Sequence, residues 1–281
     1  MLKKILINSL KAFAFGDAYG ENPLNPSLWT DDTSLTLLLL DTYQNTRNNK
    51  FLFLKKLKRN FEKYFKKGTY TPFKIPYKYG KTTYKAFLRK KGLDKEFNCG
   101  NGSVMRSLPI SFLFFKSSLK YRSKINHLQS SLTHSHPKVY FGCDLYVEFI
   151  HSLIIYKDKI KALNTLKNKI LFLCKIYKKP YKDYFIEYKD IFSKSFYKVS
   201  QNKIKSSPYI VDTIKCVFYS IMKAKDIFEC LKISSNFKGD PDTICAMSIG
   251  AFGTLQKFDD KLFKRLKNYY EIEKSYKKLN L

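Results

Sequence analysis

Apolar residues recur every three or four positions along nearly the whole chain. Leu2, Ile5, Leu6, Leu10 and Phe13, with Ser9 among them, fall on one face of a first helix. Phe51, Leu54, Leu57, Phe61, Tyr64 and Phe65 form another such face, with lysines opposite. The same spacing predicts helices at about 82–91, 103–116, 118–132, 138–156, 159–178, 181–196, 208–222, 226–234, 242–256 and 261–278. Breaks fall at Pro23 and Pro26, Thr71–Gly80, Gly92–Gly102, around Pro137, at Pro180 and at Ser206–Pro208. No stretch alternates apolar and polar positions for long enough to compete as a strand, and no repeat or low-complexity linker divides the chain. The pattern predicts one all-α domain over residues 1–281.

Composition supports that picture. Hydrophobic residues make up 44% of the 281 and aromatics 16%, enough for a large core, which excludes disorder. Only 11 Gly and 9 Pro argue against an all-β chain with many tight turns. The longest apolar runs, Leu108–Phe115 and Leu35–Leu40, fall short of the roughly 18 residues that span a bilayer, so no membrane partner is expected. The segment before Gly16 superficially resembles a signal peptide, but Lys11 interrupts its apolar stretch and it reads as a first core helix. Six cysteines (99, 143, 174, 216, 230, 245) lie far apart with no zinc-type spacing, as expected for reduced, mostly buried thiols in a cytoplasmic protein.

The formal charge is 53 − 23 = +30, yet only six of the 53 basic residues are Arg. A surface built to read nucleic acid favours Arg, whose planar fork grips phosphate and guanine with two hydrogen bonds. The lysine excess therefore reads first as a solvated coat, and nucleic acid is a partner the charge permits without favouring it. A field of this size still attracts phosphorylated ligands.

Clustered carboxylates stand out in so basic a chain. Trp29-Thr30-Asp31-Asp32-Thr33 and Gly239-Asp240-Pro241-Asp242-Thr243 each sit where a loop becomes a helix. Asp240 suits the N-cap and Pro241 the first helical position, so acid-capped helices account for either motif alone. Capping needs one acid, however, and each motif brings two acids and a hydroxyl within four residues. Adjacent carboxylates repel unless a cation lies between them, and all-oxygen ligands suit a hard ion. Four aspartates and two threonines could serve two ions at the roughly 4 Å spacing of two-metal sites. Ala246, Ser248, Gly250, Ala251 and Gly253 permit the close helix contact that would bring the second motif against an N-terminal one.

Three further segments are polar in apolar surroundings. Asn98-Cys99-Gly100-Asn101-Gly102-Ser103 is expected to lead into a helix carrying Met105 and Arg106, its glycines letting backbone N–H groups approach a phosphate. Tyr79-Gly80-Lys81-Thr82-Thr83 is a helix entry with Thr82 or Thr83 as cap. Ser131-Leu132-Thr133-His134-Ser135-His136-Pro137 holds two histidines spaced to point apart, one expected to hydrogen-bond and one to face solvent.

In order along the chain, Gly16-Asp17-Ala18-Tyr19-Gly20, the motif at 29–33, Gly80-x-Thr82-Thr83, Gly100-Asn101-Gly102-x-x-Met105-Arg106, Thr133-His134-x-His136-Pro137 and the motif at 239–243 resemble the ADP-ribosylglycohydrolase family, relatives of dinitrogenase reductase-activating glycohydrolase. The resemblance runs from about residue 12 to 255. It implies an all-α orthogonal bundle with a binuclear Mg²⁺ or Mn²⁺ cleft, and hydrolysis of the bond between ADP-ribose and a modified protein or small-molecule acceptor. Position by position it implies Thr30, Asp31, Asp32, Asp240, Asp242 and Thr243 as metal ligands. Gly80, Asn98, Gly100, Asn101, Gly102, Ser103 and His134 are implied on the substrate side, with Met105 as core beneath the loop. Asp32 and Asp242 would also stabilise an oxocarbenium-like transition state.

One departure bears on catalysis. Members that cleave through a carboxylate carry a glutamate seven residues after the motif aspartate, and here that offset from Asp17 lands on Leu24. Glu21 is either its displaced catalytic equivalent or a surface turn residue. A protein that holds metal and ADP-ribose without cleaving is the corresponding alternative function, and action on ADP-ribosylated nucleic acid is another.

Overall fold

The computed structural model describes residues 1–44, 46, 50–277 and 279, and among them every regular element is helical. The first seven α-helices are α1 (Leu2–Glu21), α2 (Asp31–Gln44), α3 (Lys50–Lys67), α4 (Lys81–Arg89), α5 (Leu108–Leu113), α6 (Leu119–Ser130) and α7 (Pro137–Tyr156). The rest are α8 (Lys159–Tyr177), α9 (Lys179–Tyr188), α10 (Ile210–Lys223), α11 (Ile227–Ser235), α12 (Pro241–Phe252), α13 (Asp260–Phe263) and α14 (Tyr269–Lys277). The buried hydrophobic side chains form one continuous cluster from Leu6 to Leu279.

Helices α1 and α12, from opposite ends of the chain, pack most closely, because small residues face each other where they cross. A Cβ on Gly16 would come within 2.6 Å of Ile249 Cγ1, one on Gly250 within 2.7 Å of the Phe13 ring, and one on Gly20 within 2.3 Å of the Pro241 carbonyl. The small residues read from the α12 sequence do allow the close contact expected of them. The N-terminal turn of α12 therefore lies on the C-terminal turn of α1, and the two acidic motifs meet.

Several boundaries differ from the sequence reading. The helix expected at 103–116 exists only as α5, because residues 101–106 fold into consecutive turns, with Val104 and Met105 amides both donating to the Asn101 carbonyl. Met105 and Arg106 thus precede a helix rather than sit in one. The helix expected at 181–196 starts earlier, with Pro180 in the first turn of α9, where its missing N–H costs nothing. It ends at Tyr188 and passes into a 3₁₀ turn over Lys189–Phe192. The 261–278 segment splits into α13 and α14 on either side of Asn268, whose φ of 59° is left-handed. At α4 the capping position is Gly80, not Thr82 or Thr83, and no side chain caps it.

Helix α7 corrects the expectation drawn from short apolar runs. By length and composition Pro137–Tyr156 is apolar enough to cross a bilayer, and 83% of its apolar window is buried inside the protein. Its acids are satisfied there: Asp144 accepts from Ser123 Oγ (2.6 Å) and Tyr181 OH (2.9 Å), and Glu148 accepts from Arg122 Nη2 (2.8 Å). It forms the core of the bundle. All six cysteines are buried and free.

Candidate active site

The site begins with Asp17, a carboxylate that follows the small and apolar residues Ala12–Gly16 of α1. It is fully buried and accepts from the Thr30 amide (3.0 Å), Thr30 Oγ1 (2.8 Å), the Thr33 amide (3.0 Å) and Thr33 Oγ1 (2.6 Å). Amides at the start of a helix have no partner within it, so Asp17 caps α2 from across the bundle. That fixes the first turn of α2, and with it Asp31 and Asp32, above the end of α1. Trp29, fully buried and donating to the Tyr70 carbonyl (3.0 Å), anchors the approach to this turn.

The crossing of α1 and α12 completes the cluster. Carboxylate oxygens of Asp17, Asp32 and Asp242 lie within 4.8 Å of one another. Asp32 Oδ2 accepts from Thr243 Oγ1 (3.2 Å) and lies 3.3 Å from Thr30 Oγ1, whose proton goes to the nearer Asp17, whereas Asp32 Oδ1 is buried with no hydrogen-bond partner. Asp240 occupies the N-cap position of α12, as its sequence suggests, but its side chain makes no capping bond and instead accepts from Asn101 Nδ2. Asn101 is thereby committed to positioning an acid, with a second bond to Thr213 Oγ1 (3.1 Å).

These carboxyls are hard to ionise together. Burial first, then the charge of Asp242, pushes Asp31 up to about 7 and Asp240 to about 8. Burial outweighs the threonine hydrogen bonds and lifts Asp17 to about 8. Asp32 is raised well above the carboxylate range by burial and by Asp17, Asp242, Asp31 and Asp240 around it. An oxygen-only donor set with an orphaned buried oxygen and mutually repelling acids fits a hard divalent cation.

From this acidic floor opens a cleft of about 460 Å³. Asp31, Asp32, Asp240, Asp242 and Thr243 line its base, and Thr30 lies buried beneath them. One wall is the first turn of α4 with Gly80, Lys81, Thr82 and Thr83, where backbone N–H groups point outward and Thr83 Oγ1 is buried without a partner. The opposite wall carries Cys99, Gly100, Asn101, Gly102 and Met105, with Phe97, Pro208 and Tyr209 at its edge. An antiparallel bridge between Gly100 and Tyr209 holds that edge, closed by Asn101 N to Pro208 O (3.0 Å) and Ile210 N to Cys99 O (2.9 Å).

His134 lies behind Gly102 and lines the cleft. Arg106 Nη2 donates to Thr133 Oγ1 (3.0 Å), leaving that hydroxyl to donate to His134 Nδ1 (2.8 Å). The chain of donors assigns the proton to Nε2, which faces the two glycines. Burial, aided by Arg106, lowers His134 to about 3, so the ring is neutral. A Cβ on Gly102 would stand 2.8 Å from His134 Cε1, so glycine is what lets the ring approach. His136 turns away, as the spacing predicts, but it does not simply face solvent. Its Nδ1 accepts from the Lys138 amide (3.2 Å) and caps α7. Glu96, Cys99 and His136 lie close enough to suggest a second metal site, but that capping bond places the His136 proton on Nε2, the nitrogen facing Glu96.

Four expected residues do not line the cleft, Thr30 among them because it is buried beneath the base. Asn98 is buried in a 3₁₀ turn, and Ser103 Oγ pairs with Ser130 Oγ (2.8 Å) in the core. Glu21 ends α1 and is ion-paired with Lys78 at the rim. Sequence reasoning passed over Asp17 and Thr33 as ligand-shaping groups, although a lone acid among small and apolar residues of α1 was a visible signal. Nothing in the sequence marked Tyr209, which only the bridge to Gly100 brings to the cleft.

A sequence profile described as ADP-ribosylglycohydrolase matches residues 4–279. Two curated relatives, each named ADP-ribosylarginine hydrolase Tri1, are 24% identical. One, from Serratia proteamaculans (strain 568), aligns over 87% of this chain and 64% of its own length. The other, from Pseudomonas putida (strain GB-1), aligns over 81% and 58%. The chain thus spans less than two thirds of either. A solved structure titled ADP-ribosylglycohydrolase-related protein complex superposes with a TM-score of 0.72 at 16% identity, covering 98% of this chain and 96% of the other, a likeness of fold.

Proposed function

Because the chain belongs to the ADP-ribosylglycohydrolase family, we propose that it is a metal-dependent hydrolase that releases ADP-ribose from a modified acceptor. The observation that carries this reading is the convergence of Asp17, Asp32 and Asp242 from three helices, with Asp32 and Asp242 lining the floor of a cleft and Asp17 buried beneath it. Thr30, Asp31, Asp32, Asp240, Asp242 and Thr243 would hold Mg²⁺ or Mn²⁺. Bound there, the cations would supply positive charge that offsets the acids, orients ribose hydroxyls and acidifies water.

The chain's own groups cover the rest of the ligand. The His134 Nε2–H donates into the cleft from a ring that stays neutral. The first turn of α4 offers backbone N–H groups, the Lys81 ammonium and the free Thr83 hydroxyl to a diphosphate. Asp32 and Asp242 would stabilise the positive charge that develops at the ribose C1 as the bond to the acceptor breaks. The relatives' name makes ADP-ribosylarginine the first acceptor to test. Incubating an ADP-ribosylarginine protein with the chain and Mg²⁺ should free ADP-ribose, and Asp31→Ala and Asp242→Ala should not; equal release by both variants would refute the reading.

A second reading, binding without cleavage, is favoured by one observation: Glu21 is held by Lys78 and does not line the cleft. Tight Mg²⁺-dependent ADP-ribose binding with no turnover of any modified substrate would select it.

A further inference from the structure

A second cavity, of about 400 Å³, lies between α3 and the C-terminal half of α4. Its surface is apolar at Phe61, Ala86, Phe87 and Leu132 and basic at Lys58, Lys66 and Lys90, with Glu62 the one acid among its lining residues. None of the three ammoniums has an ion partner among the described residues. Phe87 is held flat against Phe65, ring centroids 4.3 Å apart, so one wall is a fixed aromatic surface. We propose that this groove binds a nucleotide, separately from the acidic cleft.

The chemistry selects that class. Three unpaired cations around an apolar floor call for an anion attached to a flat apolar body. A bare phosphate would leave the floor exposed, and an uncharged aromatic would leave the cations unused. Glu62 adds a lone acceptor, which suits the exocyclic amine or sugar hydroxyl of a nucleoside. The volume falls within the ~300–1,000 Å³ usual for small-ligand sites.

The groove also touches the cleft through one buried side chain. The Arg106 guanidinium stacks 4.9 Å from the centre of the Phe61 ring, which forms part of the groove floor. The same guanidinium donates to Gly102 O (2.7 Å) and Thr133 Oγ1 (3.0 Å), the groups that place His134. A ligand resting on Phe61 and Thr133 therefore bears on the residue that holds one wall of the cleft.

The test is calorimetric titration of 5′-AMP, with inorganic phosphate in parallel, into the full chain. Saturable AMP binding should weaken about tenfold or more in Lys58→Glu/Lys66→Glu, whose exposed substitutions leave the fold intact by circular dichroism. Lys90→Glu should weaken it separately. AMP binding should persist in chelator, where the acidic cleft holds no cation. No saturable AMP binding, equal affinity for inorganic phosphate, indifference to the charge reversals, or loss of AMP binding in chelator would each overturn the proposal.

Discussion

Gly20 of α1 lies so close to Asp242 of α12 that a methyl group on it would sit 2.5 Å from the Asp242 Cα. The atoms in the way are backbone, which cannot swing aside, so the two helices would have to separate. Because the same crossing sets Asp17 beside Asp242, separation would open the carboxylate cluster. Gly20→Ala should destabilise the protein by about 1–3 kcal/mol and abolish Mg²⁺-dependent ADP-ribose binding. Thermal melts beside calorimetry check both effects, and unchanged binding would contradict the argument.

The raised carboxyls give the metal-free protein a defined pH response. A group whose folded value lies above its unfolded 3.8 contributes stability below about pH 4 that is lost as pH rises through the folded value. For Asp31 that value is about 7, and for Asp17 and Asp240 about 8. Chelated protein should therefore lose this contribution between about pH 4 and pH 8. Mg²⁺ should raise the melting temperature by several degrees at pH 8 and far less at pH 5, where protons must first be displaced. In chelator at pH 8, Asp32→Asn should melt above the parent protein, since it removes a buried charge that has nothing to balance it.

How much of this was legible in the sequence depended on range. The long amphipathic faces of α1 and α3 and the small residues of α12 declare themselves locally, as do the two acidic motifs. The split at Asn268 and the turns at 101–106 were hidden, because apolar spacing continues across both and only tertiary bonds break the helix. Asp17 looked like an ordinary member of a motif; its role lies in capping a helix that begins fourteen residues later. Helix α7 hid its length of buried surface behind Asp144 and Glu148, acids whose partners come from other helices.

His134 is held neutral with its Nε2–H toward the cleft, so its contribution to ligand binding should not titrate near neutrality. His134→Ala should weaken ADP-ribose binding by about 1–3 kcal/mol, the cost of a lost buried hydrogen bond. Binding by the parent protein should show no inflection near the ordinary histidine value of 6.5 attributable to this ring. An inflection that disappears in His134→Ala would contradict the assigned state.

The Glu21–Lys78 pair separates the two functional readings. If Glu21 supplies the acid or base, Glu21→Gln should lower kcat by about 10²-fold or more while leaving ADP-ribose affinity within a few fold. If it only pairs with Lys78 at the rim, turnover should persist and the melting temperature should shift by no more than a surface ion pair allows, under about 1 kcal/mol. Single-turnover rates of the two proteins decide between these outcomes.

The central claim is a carboxylate cluster that holds divalent cations and, through them, ADP-ribose. Its most direct test is titration of ADP-ribose into chelated protein, into the same protein with excess Mg²⁺, and into Asp31→Ala with Mg²⁺. A Mg²⁺-dependent binding step is expected only in the second case. Equal binding in all three, or none in any, would contradict it.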